Sequence, residues 1–430
     1  MLSSDPRHHN GWLPSSRAIY NAFLAGLLKS AVGRLRKSSQ HVQAVEAFKK
    51  AIEADPTMVD LFSDMFLQAS SENQITSFEL LLHELDVAVS KPPGIVKVPG
   101  AHAQPIGVPI YLLLDFLINT SAAYTLFTMD KFNVAMKALL DSWGQYLTTP
   151  ASNSTLTDKF DGWFGPEGTE LLQANDRGTF NSTYITPDPT AINRGYASWD
   201  AFFTREFQPT ARPIVPATPG TVIYNACEST AERYVSGVQL HNKFWLKGMA
   251  YSLYNMLGGD DQALATATKF AGGTVYQAFL SPQDYHRWHS PIAGIVTETR
   301  VIQGTYYAAL PDDGDDGDMR GAIIRSQPWL TVAATRAVIT IQASNQIGLV
   351  AFIGVGMVEV STCHITVKKG DSVQPGDELG MFHFGGSSHA VIFGPHVNIK
   401  FRDQVKPGAH LKVNTIIGDV TPNFSVGIVN

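Results

Sequence analysis

The pattern of apolar residues in this chain changes near residue 196, and this change limits the folds that the chain can adopt. Before it, from about Ser16 to Tyr146, apolar residues recur at helical spacing and Pro is sparse. After it, short runs rich in β-branched and aromatic residues alternate with Gly, Pro and Asp turns. These runs are Thr221–Tyr224, Thr274–Leu280, Ala337–Gln342 and Leu349–Val360. The order predicts an α+β protein, with a helical domain over residues 1–150 and a mainly antiparallel β domain over residues 196–430.

Three further segments refine this division. Residues 151–195 lie in a stretch rich in Ser, Thr, Asn, Gly and Pro, so they are predicted to connect the domains with little structure of their own. Within the helical part, Asp55-Pro56 is the expected break between two helices. Within the β part, Lys368–Gly380 carries two Gly-Asp turn signals on either side of a short strand.

Composition and charge narrow the possible functions. The 430 residues are 44% hydrophobic and 16% charged, as in ordinary globular proteins, and the net charge of −6 comes without a sustained basic run. Nucleic acid and anionic membranes are therefore not expected as partners. Cys227 and Cys363 are the only cysteines, which favours a reducing compartment over a disulfide framework. The chain shows no signal-peptide pattern, and the apolar stretch Val108–Ile118 is too short to span a bilayer, so a cytoplasmic protein is expected.

Two short segments contain the residue types that catalysis uses. In FGGSSHAVIF, residues 384–393, two glycines precede Ser387 and Ser388; such a sequence can be a plain turn between strands or can hold a nucleophile. In DYHRWHSP, residues 284–291, His286 and His289 can be a metal pair, an acid–base pair or structural histidines. No cluster of His, Cys and carboxylates with metal-ligand spacing is apparent, so no metal site is expected.

Taken together, these segments resemble the phosphatidylserine decarboxylase family. GGSS, preceded by KKGDSVQPGDELGMF, is similar to the family's Gly-Ser self-cleavage motif. LSPQDYHRWHSP, residues 280–291, resembles the family's histidine motif, which lies about 100 residues before the serine. YASWDAFFTREFQPTARPI, residues 196–214, is similar to the segment that opens the family's catalytic domain. The resemblance extends from about residue 196 to the C-terminus.

This resemblance implies that the chain cuts itself between Gly386 and Ser387. In the family, the serine hydroxyl attacks the preceding glycine carbonyl, the resulting ester eliminates to dehydroalanine, and hydrolysis leaves a pyruvoyl group and ammonia. The small residues Gly385 and Gly386 would allow the tight backbone geometry that this attack needs. The fragments 1–386 and 387–430 would stay associated. The cofactor would then be the pyruvoyl group made from Ser387, without pyridoxal phosphate.

The same resemblance implies roles for neighbouring side chains. His289 is expected to be the base that takes the Ser387 proton, and Ser388 is expected to help stabilise the oxyanion. In the second reaction the substrate amine forms a Schiff base with the pyruvoyl carbonyl and carbon dioxide leaves. His286 is then expected to return a proton to the substrate Cα.

One position departs from the family pattern. Family members carry an acidic residue in a PADG-like segment, where it orients the base, whereas this chain has PATPG at residues 216–220, with Pro219 in place of the aspartate. Glu228, in the ACES segment that follows, can substitute as the partner of His289, or it can be a surface or structural glutamate. Cleavage without a carboxylate, with a water as the orienting group, is the remaining alternative.

The helical half indicates the substrate. NGWLPSSRAIYNAFLAGL (residues 10–27), FKKAIEADP (residues 48–56) and the region from Ile118 to Leu147 resemble fungal members that act on free aromatic amino acids. The resemblance implies that L-tryptophan is converted to tryptamine and carbon dioxide. The alternatives are a soluble phosphatidylserine decarboxylase without a membrane anchor, and a non-catalytic binding protein that never matures.

Two other features of the sequence each allow two interpretations. Trp288, His383 and Phe384 lie beside the catalytic motifs, where they can line the substrate pocket or pack the core. The acidic loop Asp312–Asp318 fails the EF-hand template because Gly314 occupies its third position, so a solvated loop is favoured over a calcium site.

Overall fold

The computed structural model describes residues 12–14, 16–242, 251–315, 317–360, 362–384 and 387–423. The predicted scissile residue Gly386, and Gly385 before it, lie outside the described residues.

The first half of the chain is helical, as predicted. Its helices are α1 (Arg17–Leu35), α2 (Gln43–Glu53), α3 (Pro56–Gln68), α4 (Phe78–Ala88), α5 (Pro109–Ile118), α6 (Ser121–Phe127), α7 (Asp130–Leu147), α8 (Pro166–Gln173), α9 (Phe180–Thr183) and α10 (Trp199–Phe203). Asp55 caps α3 by accepting a hydrogen bond from the Thr57 N–H, and Pro56 occupies the first turn, so the predicted break is confirmed. A small antiparallel hairpin of β1 (Gly94–Val96) and β2 (Gln104–Ile106) separates α4 from α5.

The prediction that residues 151–195 have little structure of their own is wrong. This stretch contains most of a 3₁₀ helix at Pro150–Thr155, together with α8 and α9. Aromatic packing explains the order: Trp163 is fully buried, and its ring lies 5.2 Å from that of Trp199 in α10. Burial of such rings outweighs the loop-like composition of the segment.

Within the described residues, the chain after α10 forms three antiparallel sheets. Their strands are β3 (Val222–Tyr224), β4 (Ser229–Ser236), β5 (Thr274–Leu280), β6 (Arg287–His289), β7 (Gly294–Ile302), β8 (Arg336–Gln342), β9 (Leu349–Gly356), β10 (Thr362–Ile365), β11 (Ser372–Val373), β12 (Glu378–His383), β13 (Ser387–Phe393), β14 (Val397–Phe401), β15 (His410–Leu411) and β16 (Ile416–Pro422). The large sheet has the order β11-β7-β8-β9-β13-β5-β4-β15, and the two small sheets are β10-β12-β6 and β14-β16-β3. The α+β class with antiparallel sheets is confirmed.

Short helices connect some of these strands. They are α11 (Leu253–Met256), α12 (Asp261–Thr268), α13 (Ala322–Arg325) and α14 (Gln327–Ala333). Across the part of the chain that the structure describes, none of the helices combines the length and apolar character needed to cross a membrane.

Strand β13 lies inside the large sheet, and its position places Ser387. All of its residues are buried, and it is hydrogen-bonded to β5 on one side and to β9 on the other. Ser387 lies opposite Leu280 of β5 and Gly356 of β9. The predicted nucleophile is therefore the first residue of a fully buried strand.

The helical half packs directly on the β domain. The Glu359 carboxylate accepts hydrogen bonds from the Ile110 and Tyr111 N–H groups, at 2.5 and 2.9 Å, where α5 begins. A helix leaves such first-turn N–H groups without internal partners, so a side chain of the β domain caps a helix of the other half. In addition, the Trp12 indole donates a hydrogen bond to the Leu280 carbonyl at 2.9 Å.

The acidic loop is held by arginines. Asp312 forms an ion pair with Arg325 at 2.6 Å, and Asp318 forms one with Arg320 at 2.7 Å. Carboxylates that are already paired with guanidinium groups are poorly placed to bind calcium, so the loop is best described as one fixed by ion pairs.

Candidate active site

Ser387 and His286 meet in the interior of the protein. The Ser387 Oγ atom lies 3.5 Å from His286 Nδ1, and both residues are fully buried. His286 belongs to the loop between β5 and β6, and its Nε2 atom lies 3.0 Å from the Ser281 carbonyl oxygen. Because a carbonyl can only accept, Nε2 carries the proton and Nδ1 presents a lone pair to the hydroxyl. The distance is at the long end for a hydrogen bond, as is common before a substrate or transition state tightens a site.

The surroundings keep His286 neutral. Burial lowers the pKa of its imidazole to about 3, against the opposite effect of the nearby Asp284 carboxylate. The ring stacks on Phe203 with 4.0 Å between centroids. A neutral imidazole with a free Nδ1 lone pair can act as a base at any pH near neutrality.

A buried ion-pair network holds the loop that carries His286. Asp284 accepts a hydrogen bond from the Ser281 N–H at 2.7 Å, and it also contacts Arg177 Nε at 2.7 Å and His410 Nε2 at 3.0 Å. Burial alone would raise the pKa of Asp284, but Arg177 and His410 hold it well below its ordinary value. Asp284 therefore fixes the Ser281 carbonyl that sets the His286 tautomer. This role of Asp284 was not predicted from the sequence, although Asp284 stands two positions before His286.

His289 has other partners. Its Nδ1 atom lies 2.6 Å from the Gly376 carbonyl oxygen, and its Nε2 atom lies 2.9 Å from the Tyr285 hydroxyl. Nδ1–H therefore donates to Gly376, and the Tyr285 hydroxyl donates to Nε2. Burial lowers the pKa of His289 as well. The structure thus brings His286, and not His289, into contact with Ser387, and a backbone carbonyl stands where a carboxylate was expected to orient His289.

Glu228 is not the carboxylate partner of His289. Its two oxygens receive hydrogen bonds from the Arg212 guanidinium at 2.5 and 3.0 Å, and the Val413 N–H adds a third at 3.0 Å. Fully buried and paired in this way, Glu228 stabilises the junction between the start of β4 and the segment after β15. The alternative interpretation, a structural glutamate, describes it correctly.

The two residues after Ser387 are buried polar groups without hydrogen-bond partners among the described residues. They are Ser388, through Oγ, and His389, through both ring nitrogens. Since side chains alternate along a strand, His389 lies on the same face of β13 as Ser387, and Ser388 on the other. Burial lowers the pKa of His389 to about 3. Buried polar atoms of this kind are rare and often belong to functional sites, so His389 is a candidate that the sequence analysis did not single out.

The aromatic neighbours of the motifs have distinct surroundings. Trp288 is fully buried against Phe352 and Phe382, at centroid distances of 5.3 and 4.7 Å, as expected for a core residue. The His383 Nδ1 atom lies 2.8 Å from an Asp200 carboxylate oxygen. Phe384, two residues before the predicted scissile residue Gly386, has a φ of +83°, in the left-handed region.

Comparisons with known proteins agree with this architecture. A family model described as phosphatidylserine decarboxylase matches residues 199–419, and a second model of the same description matches residues 42–172. The decarboxylase iboD of Amanita muscaria is 53% identical over 279 residues, which cover 63% of this chain and 79% of that protein. The L-tryptophan decarboxylase of Psilocybe cyanescens is 33% identical over 383 residues, covering 84% of this chain and 83% of that protein. Phosphatidylserine decarboxylase proenzyme 3 of Schizosaccharomyces pombe is 30% identical over 180 residues, covering 42% of this chain and 17% of that protein.

Proposed function

Because the chain belongs to the phosphatidylserine decarboxylase family and is a decarboxylase, we propose that it cleaves itself between Gly386 and Ser387 and then decarboxylates a free aromatic amino acid. The favoured reaction converts L-tryptophan to tryptamine and carbon dioxide through a pyruvoyl group at residue 387. The observation that carries the proposal is the contact between the Ser387 hydroxyl and the free Nδ1 lone pair of a neutral, buried His286.

The contact favours His286 as the base for self-cleavage. Nδ1 takes the Ser387 proton while Oγ bonds to the carbonyl carbon of Gly386, and the proton passes to the amide nitrogen as the C–N bond breaks. Loss of the Cα proton of residue 387 then expels the Gly386 carboxylate, and water releases ammonia from the dehydroalanine. The alternative base, His289, has less support, since its ring nitrogens are occupied by Gly376 and Tyr285.

The residues around position 387 fit a pyruvoyl group. Such a group supplies a carbonyl that binds the substrate amine and accepts the electrons left when carbon dioxide departs. Ser387, Ser388 and His389 are fully buried, so polar interactions act there in a dry environment of low dielectric constant. His286 faces position 387 and can hold the proton that must return to the substrate Cα.

Two observations support an aromatic substrate. His389 lies on the same face of β13 as Ser387, and its ring is 5.8 Å from that of Phe352 and 5.9 Å from that of Tyr276. Two aromatic rings thus lie beside His389, and a free nitrogen of His389 can accept a hydrogen bond from an indole N–H. The relatives that cover most of the chain include L-tryptophan decarboxylases of two Psilocybe species.

Product formation tests the substrate. Purified protein and the Ser387→Ala variant are assayed for carbon dioxide release with L-tryptophan, L-phenylalanine, L-tyrosine and phosphatidylserine in liposomes. The proposal expects the highest kcat/KM with L-tryptophan and no turnover by the variant. Turnover of phosphatidylserine alone would favour the soluble lipid decarboxylase instead. A protein that matures fully and turns over none of the amino acids would contradict the proposed substrate class.

A further inference from the structure

A second cluster of chemically active side chains lies in the helical half. Glu79, His83 and Asp86 project from α4 at spacings of four and three residues, which places them on one face of the helix. His41, from the segment before α2, packs against them, and its ring lies 4.7 Å from that of His83 at an angle of 33°. None of these residues belongs to the decarboxylase site.

Asp86 lies next to both imidazoles and forms a hydrogen bond with that of His41. It is fully buried, and its carboxylate lies 2.9 Å from His41 Nδ1 and 3.8 Å from His83 Nδ1. The Val42 N–H and the Arg34 guanidinium also donate hydrogen bonds to this carboxylate, each at 2.8 Å. These bonds hold the carboxylate in place. The Nδ1 side of both rings therefore faces one fixed carboxylate.

The opposite side of both rings faces Glu79. One oxygen of its carboxylate lies 3.0 Å from His83 Nε2 and 3.8 Å from His41 Nε2. When His41 donates Nδ1–H to Asp86, its neutral ring leaves a lone pair on Nε2, and that lone pair points toward a carboxylate. A cation between these two electron-rich atoms, either a proton or a metal ion, would be attracted to both.

A metal ion satisfies more of these groups than a proton does. The three ligand atoms from His41, Glu79 and His83 lie within 4.8 Å of one another. Two imidazole nitrogens and a carboxylate oxygen are a common ligand set for zinc and similar ions, and carboxylates such as Asp86 typically accept the second N–H of metal-bound histidines. The buried His83 Nδ1 has no hydrogen-bond partner among the described residues, and a small shift toward Asp86 on metal binding would give it one.

We propose that His41, Glu79 and His83 bind a divalent transition-metal ion such as Zn²⁺, with Asp86 orienting the two histidines. The site joins the segment before α2 to α4, so a bound ion stabilises the helical half. Glu79 is the exposed member of the set, at 57% of its side chain, and leaves room for water as a fourth ligand. No metal site was predicted from the sequence, because His41 and the residues of α4 come together only in the folded chain.

Metal titration of the full-length protein tests the site. After treatment with a chelator, the protein is titrated with Zn²⁺ by calorimetry and with Co²⁺ by visible absorption. We expect one equivalent to bind and the melting temperature to rise with Zn²⁺. His83→Gln and Glu79→Gln should abolish the Co²⁺ spectrum, and Asp86→Asn should weaken binding about 10- to 100-fold. His102→Gln, an exposed histidine of the same half, is the matched control and should bind like the unmodified chain.

The variants also decide the competing interpretation. Glu79→Gln changes an exposed side chain, so it keeps the test valid if a histidine variant fails to fold. Absence of saturable binding to the unmodified chain would overturn the proposal and leave an ion-pair cluster of histidines, carboxylates and Lys49, whose Nζ lies 3.2 Å from Glu79. Equal binding by the unmodified chain and by His83→Gln would also overturn it.

Discussion

The proposed role of His286 as the base rests on the Ser281 carbonyl, which accepts the Nε2 proton and leaves Nδ1 free, and substitution can test this role. We expect His286→Ala to slow self-cleavage by about 10²- to 10⁴-fold, the usual effect of removing a general base. The His289→Ala variant should cleave itself measurably faster than His286→Ala, because the His289 ring contacts Tyr285 and Gly376 instead of Ser387. The rates are followed by gel electrophoresis of freshly translated protein. The reverse order of the two variants would restore His289 as the base.

The burial of His286 also predicts a pH profile. With a pKa of about 3, its imidazole stays unprotonated from pH 8 down to pH 5, so the cleavage rate should be nearly constant over that range. An inflection near pH 6.5, the ordinary pKa of histidine, would show that the base is solvated or is another residue.

His389 should make the protein less stable in acid. Its folded-state pKa is lowered to about 3, so between pH 6.5 and pH 3 the unfolded chain binds a proton that the folded chain does not. Stability then falls as pH falls, by up to about 1.4 kcal/mol per pH unit. In a Ser387→Ala background, His389→Phe should flatten the pH dependence of the urea midpoint between pH 7 and pH 5. An unchanged slope would mean that His389 is protonated or hydrated in the folded protein.

Helix α7 packs against the segment that leads to the cleavage site. A Cβ atom at Gly144 would lie only 2.7 Å from Cε2 of Phe384, which precedes Gly385 and Gly386. Gly144→Val should therefore displace this segment and slow cleavage, by as much as about 10²-fold for a shift near 1 Å. Gly33→Ala in α1 is the matched control, because a Cβ there meets nothing within 4 Å. Equal cleavage rates would show that the Phe384 contact does not position the reacting bond.

Elements with strong local patterns were predictable from the sequence, and contacts between distant residues were not. The β5 strand coincides with the predicted run Thr274–Leu280, because this run is rich in β-branched and aromatic residues. The network around Asp284 was missed because Arg177 and His410 lie 107 and 126 residues away in the chain. Glu228 was considered as the partner of His289 because it is the carboxylate that follows the PATPG segment, whereas in the folded chain it pairs with Arg212.

For the whole molecule, the helical half is part of the structure that surrounds the site. Trp12 bonds to the carbonyl of Leu280, the residue opposite Ser387, and Glu359 caps α5 across the domain boundary. The family resemblance of both halves could be recognised from motifs and is confirmed by the two matching family models. How the halves meet could not be recognised, since these contacts join residues more than 200 positions apart.

Intact mass spectrometry tests whether Ser387 becomes the catalytic group of a self-cleaved enzyme. Purified unmodified protein is compared with Ser387→Ala. We predict two fragments for the unmodified chain, with the smaller one beginning at residue 387 and carrying a pyruvoyl group in place of a free amine, and a single full-length mass for the variant. A full-length mass for both proteins would contradict the pyruvoyl account and favour a binding protein that never matures.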